Sequence, residues 1–373
     1  MKRRLMMSAV AATAALALVA CGAAPEDEPG DAAPEETTEE EAPDEDGDAE
    51  PPADDVDFLA CMVSDQGGWD DQSFNQTSYA GLTAARDELG VSIQDAESTD
   101  DGDYGPNIDS MIQQGCDQII GVGFLLEPPL TAAAAANQDI QFALVDSGFG
   151  DGAEENGKPL IFNTAEAAFL AGYLAAGMTE TGTVATFGGL LIPSVNIFMD
   201  GFADGIDFYN EENGTDVDLL GWNKETQEGA DSGGFEDQLQ GRTLTEQFIA
   251  QGADIIMPVA GPVGLGAAAA AQDEGATIIW VDTDGYHSTQ YGDIILTSVM
   301  KKMDEAVFES VEEGVNGTFT SEPYIGTLEN EGVDIAPFHD FDGDVPQELK
   351  DRIDEIREAI ISGEIVVETP NAP

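Results

Sequence analysis

Carboxylates recur in this chain where apolar runs end. Asp65 follows "VDFLACMVS", Asp146 closes "FALVD", and Asp282 and Asp284 close "IIWVDTD". An ionised carboxylate accepts from two donors at once, which suits vicinal hydroxyls or amide-like N–H groups. Gly261, in "VAGPVGLG", has no side chain and lets a ligand approach the backbone. Asp65 stands in "SDQGGWDDQSFNQ", residues 64–76, a bend with two glycines and three aspartates around Phe74 and Asn75. Glycines between a strand and a helix usually cradle phosphate. Here neither GxGxxG nor GxxxxGKS/T is present, and Asp65, Asp70 and Asp71 would repel an anion. Phe74 and Phe235, the latter in "SGGFEDQLQGR", offer faces to a flat ring. By analogy with base stacking, each such contact is worth about 1 to 3 kcal/mol. Lys301, after "ILTSVM", is one of the few bases. Taken singly, each residue has a plainer reading: a strand-end Asp as turn or cap, a Phe at a helix start as core. Their repetition around one predicted cleft carries the reading of a neutral or cationic, flat, donor-rich ligand without phosphate.

Catalytic chemistry finds little support. The two histidines are His287 and His339, and neither CxxC nor GxSxG occurs, so no metal centre, cofactor or nucleophile–base pair is expected. "HDFDGDVPQ", residues 339–347, alternates like a calcium loop but lacks the 12-residue frame with its terminal Glu. It reads as a surface turn before the last helix.

The elements that must position these residues alternate. Apolar runs at 56–63, 116–123, 140–146, 183–189, 217–222, 253–260, 276–282 and 293–299 read as strands. Amphipathic runs between them read as helices near 73–89, 105–115, 128–137, 165–178, 196–210, 238–251, 263–273 and 300–314. Ser73 and Gln76 form an S-x-x-Q box that predicts a helix start at Phe74. Such alternation predicts α/β architecture with parallel sheets and right-handed crossovers. The length suits two doubly wound lobes, with the ligand in the cleft outside their strand ends.

The first 20 residues read as a secretory signal: "MKRR", a short apolar run, and small residues before Cys21. "LVAC" resembles a bacterial lipobox, which makes Cys21 the expected lipidation site and puts the protein on the extracytoplasmic face of the cell membrane. The run is shorter than the roughly 20 residues a spanning helix needs. Residues 21–56 continue as a tether; positions 23–55 hold 16 acids and no base, too little apolar surface to fold. Without that tether and the three bases of the leader, the chain still carries 59 of its 75 acids against 9 of its 12 bases. Nucleic acid is thereby excluded as a partner, since phosphate binding needs Lys and Arg. The acidity reads as that of a protein from a salt-rich medium, with an ordinary acidic secreted protein as the alternative. Cys61 and Cys116 lie on or beside neighbouring predicted strands; a disulfide and two buried free thiols are both open, with free thiols favoured.

Eight segments in order, "SDQGGWDDQSFNQTSYAGL", "AAFLAGYLAA", "FGGLLIPSVNIFMDGFADG", "GGFEDQLQGR", "QGADIIMPVAGPVGLG", "IIWVDTD", "LTSVMKKMDEAV" and "ISGEIVVETP", resemble the basic membrane lipoprotein family. These are purine-nucleoside receptors of ABC transporters. The resemblance implies a class I periplasmic-binding-protein fold, with lobe 1 at 57–162 and 285–318, lobe 2 at 163–284 and 319–369, and three crossing segments between them. It implies a purine held between Phe74 and Phe235 with Asp65, Asn75 and Asp146 nearby, and a ribose held by Gly261, Asp282 and Lys301. Asp284 joins that set although "VDTDGYH" departs from the family's usual continuation; Trp69 and the proline of "AGPVGLG" also depart. The implied partners are a purine nucleoside and ABC permease subunits, with the protein a monomer touching the membrane through its lipid alone. A sugar, flavin or signalling-molecule receptor on the same fold is the alternative, and a nucleoside hydrolase is disfavoured by the missing catalytic groups.

Overall fold

The computed structural model describes residues 56–153 and 155–373. The leader, Cys21 and the acidic tether lie outside the described residues. In chain order the strands are β1 (Leu59–Ser64), β2 (Ser92–Ala96), β3 (Gln118–Val122), β4 (Gln141–Val145), β5 (Gly157–Phe162), β6 (Thr183–Gly188) and β7 (Asp218–Leu220). There follow β8 (Trp222–Asn223), β9 (Glu228–Gly229), β10 (Ile255–Val259), β11 (Thr277–Asp282), β12 (Ile295–Lys301), β13 (Tyr324–Gly326) and β14 (Val333–Ile335). One sheet runs β13-β5-β4-β3-β1-β2 with every neighbour parallel. The other runs β14-β12-β11-β10-β6-β7 and is parallel except at β14. β8 and β9 form a separate short hairpin.

Both sheets have the same winding. The second strand of each lies outside the first, and the third, fourth and fifth follow on the other side. β1 therefore corresponds to β6, β3 to β10, β4 to β11 and β5 to β12. Helices cover both faces, which is why β3 and β10 are buried along their whole length and, apart from Gln118, read as apolar runs. The helix Thr164–Met178 is apolar all round, and twelve of its fifteen residues are buried, mainly against the helix Pro193–Asn213. Such a helix belongs inside a lobe rather than on its surface.

The chain passes between the lobes three times: after β5, after β12, and between β13 and β14. Asn163 N–H donates to Gly326 O at 2.8 Å and Lys302 N–H to Gly332 O at 3.0 Å, so the crossing segments are tied to one another. The expected lobe boundaries need correction. β12, placed by sequence in lobe 1, pairs with β11 in the second sheet, and lobe 1 regains the chain only at the helix Met303–Asn316, which packs on the helix Phe74–Leu89. β13, placed in lobe 2, pairs with β5 in the first sheet. The strand candidate before residue 300 belongs to one lobe and the helix after it to the other, which no local pattern marks.

Cys61 and Cys116 are joined in a disulfide with Cα atoms 6.0 Å apart, against the favoured reading of free thiols. Cys116 is not a strand-interior residue. It stands in the turn entering β3, beside β1, at a separation that suits a bridge.

Candidate functional site

In a sheet of this winding, the crevice opens where the first and third strands send the chain in opposite directions. Asp65 leaves β1 at that point, donating its backbone N–H to Val122 O at 2.9 Å, with 7% of the residue exposed. Its carboxylate lies against Gly123, which follows β3 with φ +114°; a Cβ there would stand 1.9 Å from Asp65 Oδ2. Only glycine fits both the backbone and the contact. In the second lobe the corresponding corner is Gly189 after β6, where a Cβ would stand 2.3 Å from the ring of Phe235. That missing side chain lets Phe235 enter the cleft.

The bend 64–76 works differently from the predicted capping box. Asp71, 2% exposed, accepts from the backbone N–H groups of Ser73 at 2.9 Å, Asn75 at 2.7 Å and Gln76 at 3.0 Å, and so caps the helix Phe74–Leu89. Gln76 accepts from Gln72 N–H instead. Ser73 is thereby free to cross the cleft, donating Oγ–H to Asp282 Oδ2 at 2.8 Å, with Val281 O 3.2 Å from the same atom. Asn75, buried, donates Nδ2–H to Gln66 O at 3.0 Å, and its Oδ1 has no partner among the described residues.

Lys301 ends β12 with a side chain only 2% exposed. Its Nζ lies 2.6 Å from Asp146 Oδ2 in the first lobe and 3.2 Å from Asp282 Oδ1 in the second. The same Nζ is 4.6 Å from the centroid of Phe74 and 5.1 Å from that of Phe198, within cation–π range. Asp146 and Asp282 end the corresponding strands β4 and β11, and both are left-handed, with φ 66° and 73°. This conformation is uncommon outside glycine and costs of order 1 kcal/mol or more. Its occurrence twice, at equivalent strand ends facing one lysine, marks a built arrangement.

The electrostatics are those of too many acids for one base. Burial raises Asp65 well above the usual carboxylate range, and Asp71 and Asp146 raise it further, against the pull of Lys301. Burial raises Asp71 to about 6 despite its three backbone donors. Burial also raises Asp146, with Lys301 opposing. For Lys301, burial lowers the pKa, but Asp146 and Asp282 together outweigh it and leave the ammonium raised. The cleft offers carboxyl groups that can donate or accept, plus a fixed cation, and repels added negative charge.

Of the residues expected from sequence, Asp65, Phe74, Asn75, Asp146, Phe235, Gly261, Asp282 and Lys301 line one cavity between the lobes. Gly261 is left-handed at φ 53° in the turn after β10. Asp284 does not line the cavity. It caps the short helix Gly285–Ser288, accepting from Tyr286 N–H at 3.2 Å, and its Oδ2 is 2.7 Å from His339 Nε2. The two-residue offset from Asp282 crosses the turn and aims the side chain away. Trp69 also stands outside the cavity lining, bonded to Asp95 at 3.0 Å and stacked on Tyr79. Sequence reading missed Gln66, Phe124, Ser194 and Phe198 as lining residues and named Asp71 only as a charge that repels anions. Asp71, two residues before the predicted cap Ser73, was legible as an alternative cap; the others carry no signal short of the fold.

Two parallel α/β lobes enclosing a polar and aromatic cleft form a fold of the periplasmic-binding-protein type. A solute-binding protein from Aeropyrum pernix K1 shares the fold, with a TM-score of 0.76 and 24% identity over 84% of this chain and 94% of that one. A glucose-galactose binding protein from Geobacillus stearothermophilus shares it at 0.56 and 17%, over 76% and 99%. The family model described as ABC transporter substrate-binding protein PnrA-like (Bmp) matches residues 58–370, and the chain belongs to that family. The chain is 27% identical to the ABC transporter nucleoside-binding protein BmpA of Lactococcus lactis subsp. cremoris, over 84% of this chain and 89% of the relative. It is 30% identical to an uncharacterized lipoprotein of Pyrococcus abyssi, over 82% and 83%. Membership makes this a substrate-binding protein of an ABC transporter rather than an enzyme. Among the described residues, no helix is long and apolar enough to cross a membrane.

Proposed function

We propose that the cleft binds a purine nucleoside and that the protein, held by lipid at Cys21 outside the cell, delivers it as a monomer to an ABC permease. The observation that carries this is one aromatic ring from each lobe, Phe74 and Phe235, lining the same cavity as Asp65, Asp146, Asp282 and Lys301. A flat base suits the rings, and a ribose suits the carboxylates and the lysine. The unpartnered Oδ1 of Asn75 can accept from a ring N–H or an exocyclic amine. The name of the Lactococcus lactis relative supports the nucleoside, and the word lipoprotein in the name of the Pyrococcus abyssi relative supports the anchor. Ligand between the lobes favours closure about the three crossings, and the closed form docks on the permease.

Calorimetry in high salt with inosine, guanosine, adenosine, cytidine, ribose and riboflavin tests the reading. Purine nucleosides bind, and Phe74→Ala weakens them by roughly 5- to 150-fold, the equivalent of about 1 to 3 kcal/mol for one stacking contact. Asp282→Ala abolishes the ribose contribution. Silence toward every nucleoside, with a response to ribose or riboflavin, removes the purine from this account and leaves a sugar or flavin receptor.

A further inference from the structure

Both histidines of the chain, far apart in sequence, meet at one point on the second lobe. His339 Nε2 lies 2.7 Å from Asp284 Oδ2, and His287 Nε2 lies 4.0 Å from the same oxygen. One potential ligand atom from each of the three residues falls within a sphere of mutual separations below 4.8 Å. Around a tetrahedral zinc ion, with bonds of about 2.0 to 2.2 Å, ligand atoms stand roughly 3.3 Å apart. The observed spacings bracket that value, and the side chain of His287, 70% exposed, is free to turn inward.

The supports are in place. Asp284 Oδ1 is occupied by Tyr286 N–H, which leaves Oδ2 facing both imidazoles. The ring of Tyr286 stacks on His339 with centroids 4.1 Å apart and planes 13° apart, and its hydroxyl donates to Asp340 at 3.2 Å. The imidazoles themselves stand nearly perpendicular, 5.0 Å between centroids. The stacked ring of Tyr286 fixes the plane of the His339 imidazole.

We propose that Asp284, His287 and His339 form a site for a divalent transition-metal ion of the zinc class, separate from the ligand cleft. The ion takes the place of the hydrogen between His339 Nε2 and Asp284 Oδ2, with the neutral imidazole carrying its hydrogen on Nδ1 instead, and gains His287 as third ligand. Water fills the remaining position. Two imidazoles and one carboxylate favour zinc, nickel or copper over magnesium and calcium, which need oxygen donors. The bound ion fastens the helix Gly285–Ser288 to the turn His339–Phe341.

Zinc chloride titrated into the full chain by calorimetry, in excess magnesium chloride to occupy oxygen-only sites, tests this. One zinc per chain is expected, with a cobalt complex showing visible absorption of low coordination number. His287→Ala and His339→Asn each weaken uptake by at least about 10-fold. Asn tolerates the left-handed backbone of His339, φ 45°. His287→Ala alters an exposed side chain and decides the matter if the other variant folds poorly. Absence of zinc uptake, or uptake unchanged in His287→Ala, overturns the proposal and leaves His339 as a hydrogen-bond partner of Asp284.

Discussion

Replacing Lys301 with methionine keeps the stem and removes the cation that, among the described residues, faces Asp146 and Asp282. At an effective dielectric of about 20, a charge at 2.6 Å from Asp146 contributes about 6 kcal/mol and one at 3.2 Å from Asp282 about 5. Desolvating the ammonium removes several kcal/mol of that gain. Breaking a buried pair from one side costs about 3 to 5 kcal/mol, because the surviving carboxylates are left uncompensated. Lys301→Met is therefore expected to lose about 3 to 5 kcal/mol at pH 7 in urea unfolding at fixed salt. The loss must shrink on acidification. Burial already raises Asp146, and without Lys301 opposing it the carboxyl rises further. Below that value the variant's acid is neutral and needs no cation, while the wild type keeps its pair down to the lower value at which Lys301 holds Asp146. Asp146→Asn in the Lys301→Met background should recover part of the loss, with a coupling of about 1 to 3 kcal/mol. A loss under about 1 kcal/mol at pH 7, a loss equal at pH 7 and in acid, or perfect additivity in the cycle would refute the reasoning.

Asp65 has a folded pKa above its unfolded one, so its contribution to stability is full below about pH 3.9 and falls as pH rises through the folded value. Asp65→Asn should flatten the fall in melting temperature as pH rises above about 3.9 toward the folded value; profiles that stay parallel count against the raised carboxyl. Gly123→Ala must push a methyl into the Asp65 carboxylate at a left-handed backbone position, and a loss of more than about 3 kcal/mol in chemical unfolding is expected. A neutral result would mean that Asp65 swings aside. With a formal charge of −63, the protein should melt at higher temperature as potassium chloride rises, while the Debye length falls from about 10 Å at 0.1 M to about 3 Å at 1 M. A melting temperature indifferent to salt would show that self-repulsion does not limit stability.

What could be read from the residues follows from what local physics determines. β1, β3, β4, β10 and β11 are largely buried between helices, so their sequences are mainly apolar runs, and the winding of such sheets puts ligand sites just after them. Asp65, Asp146, Gly261 and Asp282 were legible for that reason. β2 was not, because it is an edge strand with a largely exposed, polar face; β13 and β14 are three residues each and exist only through their partners. Lys301 was legible as a rare base at a strand end, yet its two partners and its position at a lobe crossing come from the tertiary fold alone. Asp282 and Asp284 mark the limit most sharply. They are the same residue two positions apart at one strand end, and sequence assigns them one role. A left-handed backbone at Asp282 followed by a helix cap at Asp284 sends one carboxylate to Lys301 and the other to His339. Composition cannot separate them. The turn does, and the two carboxylates thereby meet different partners.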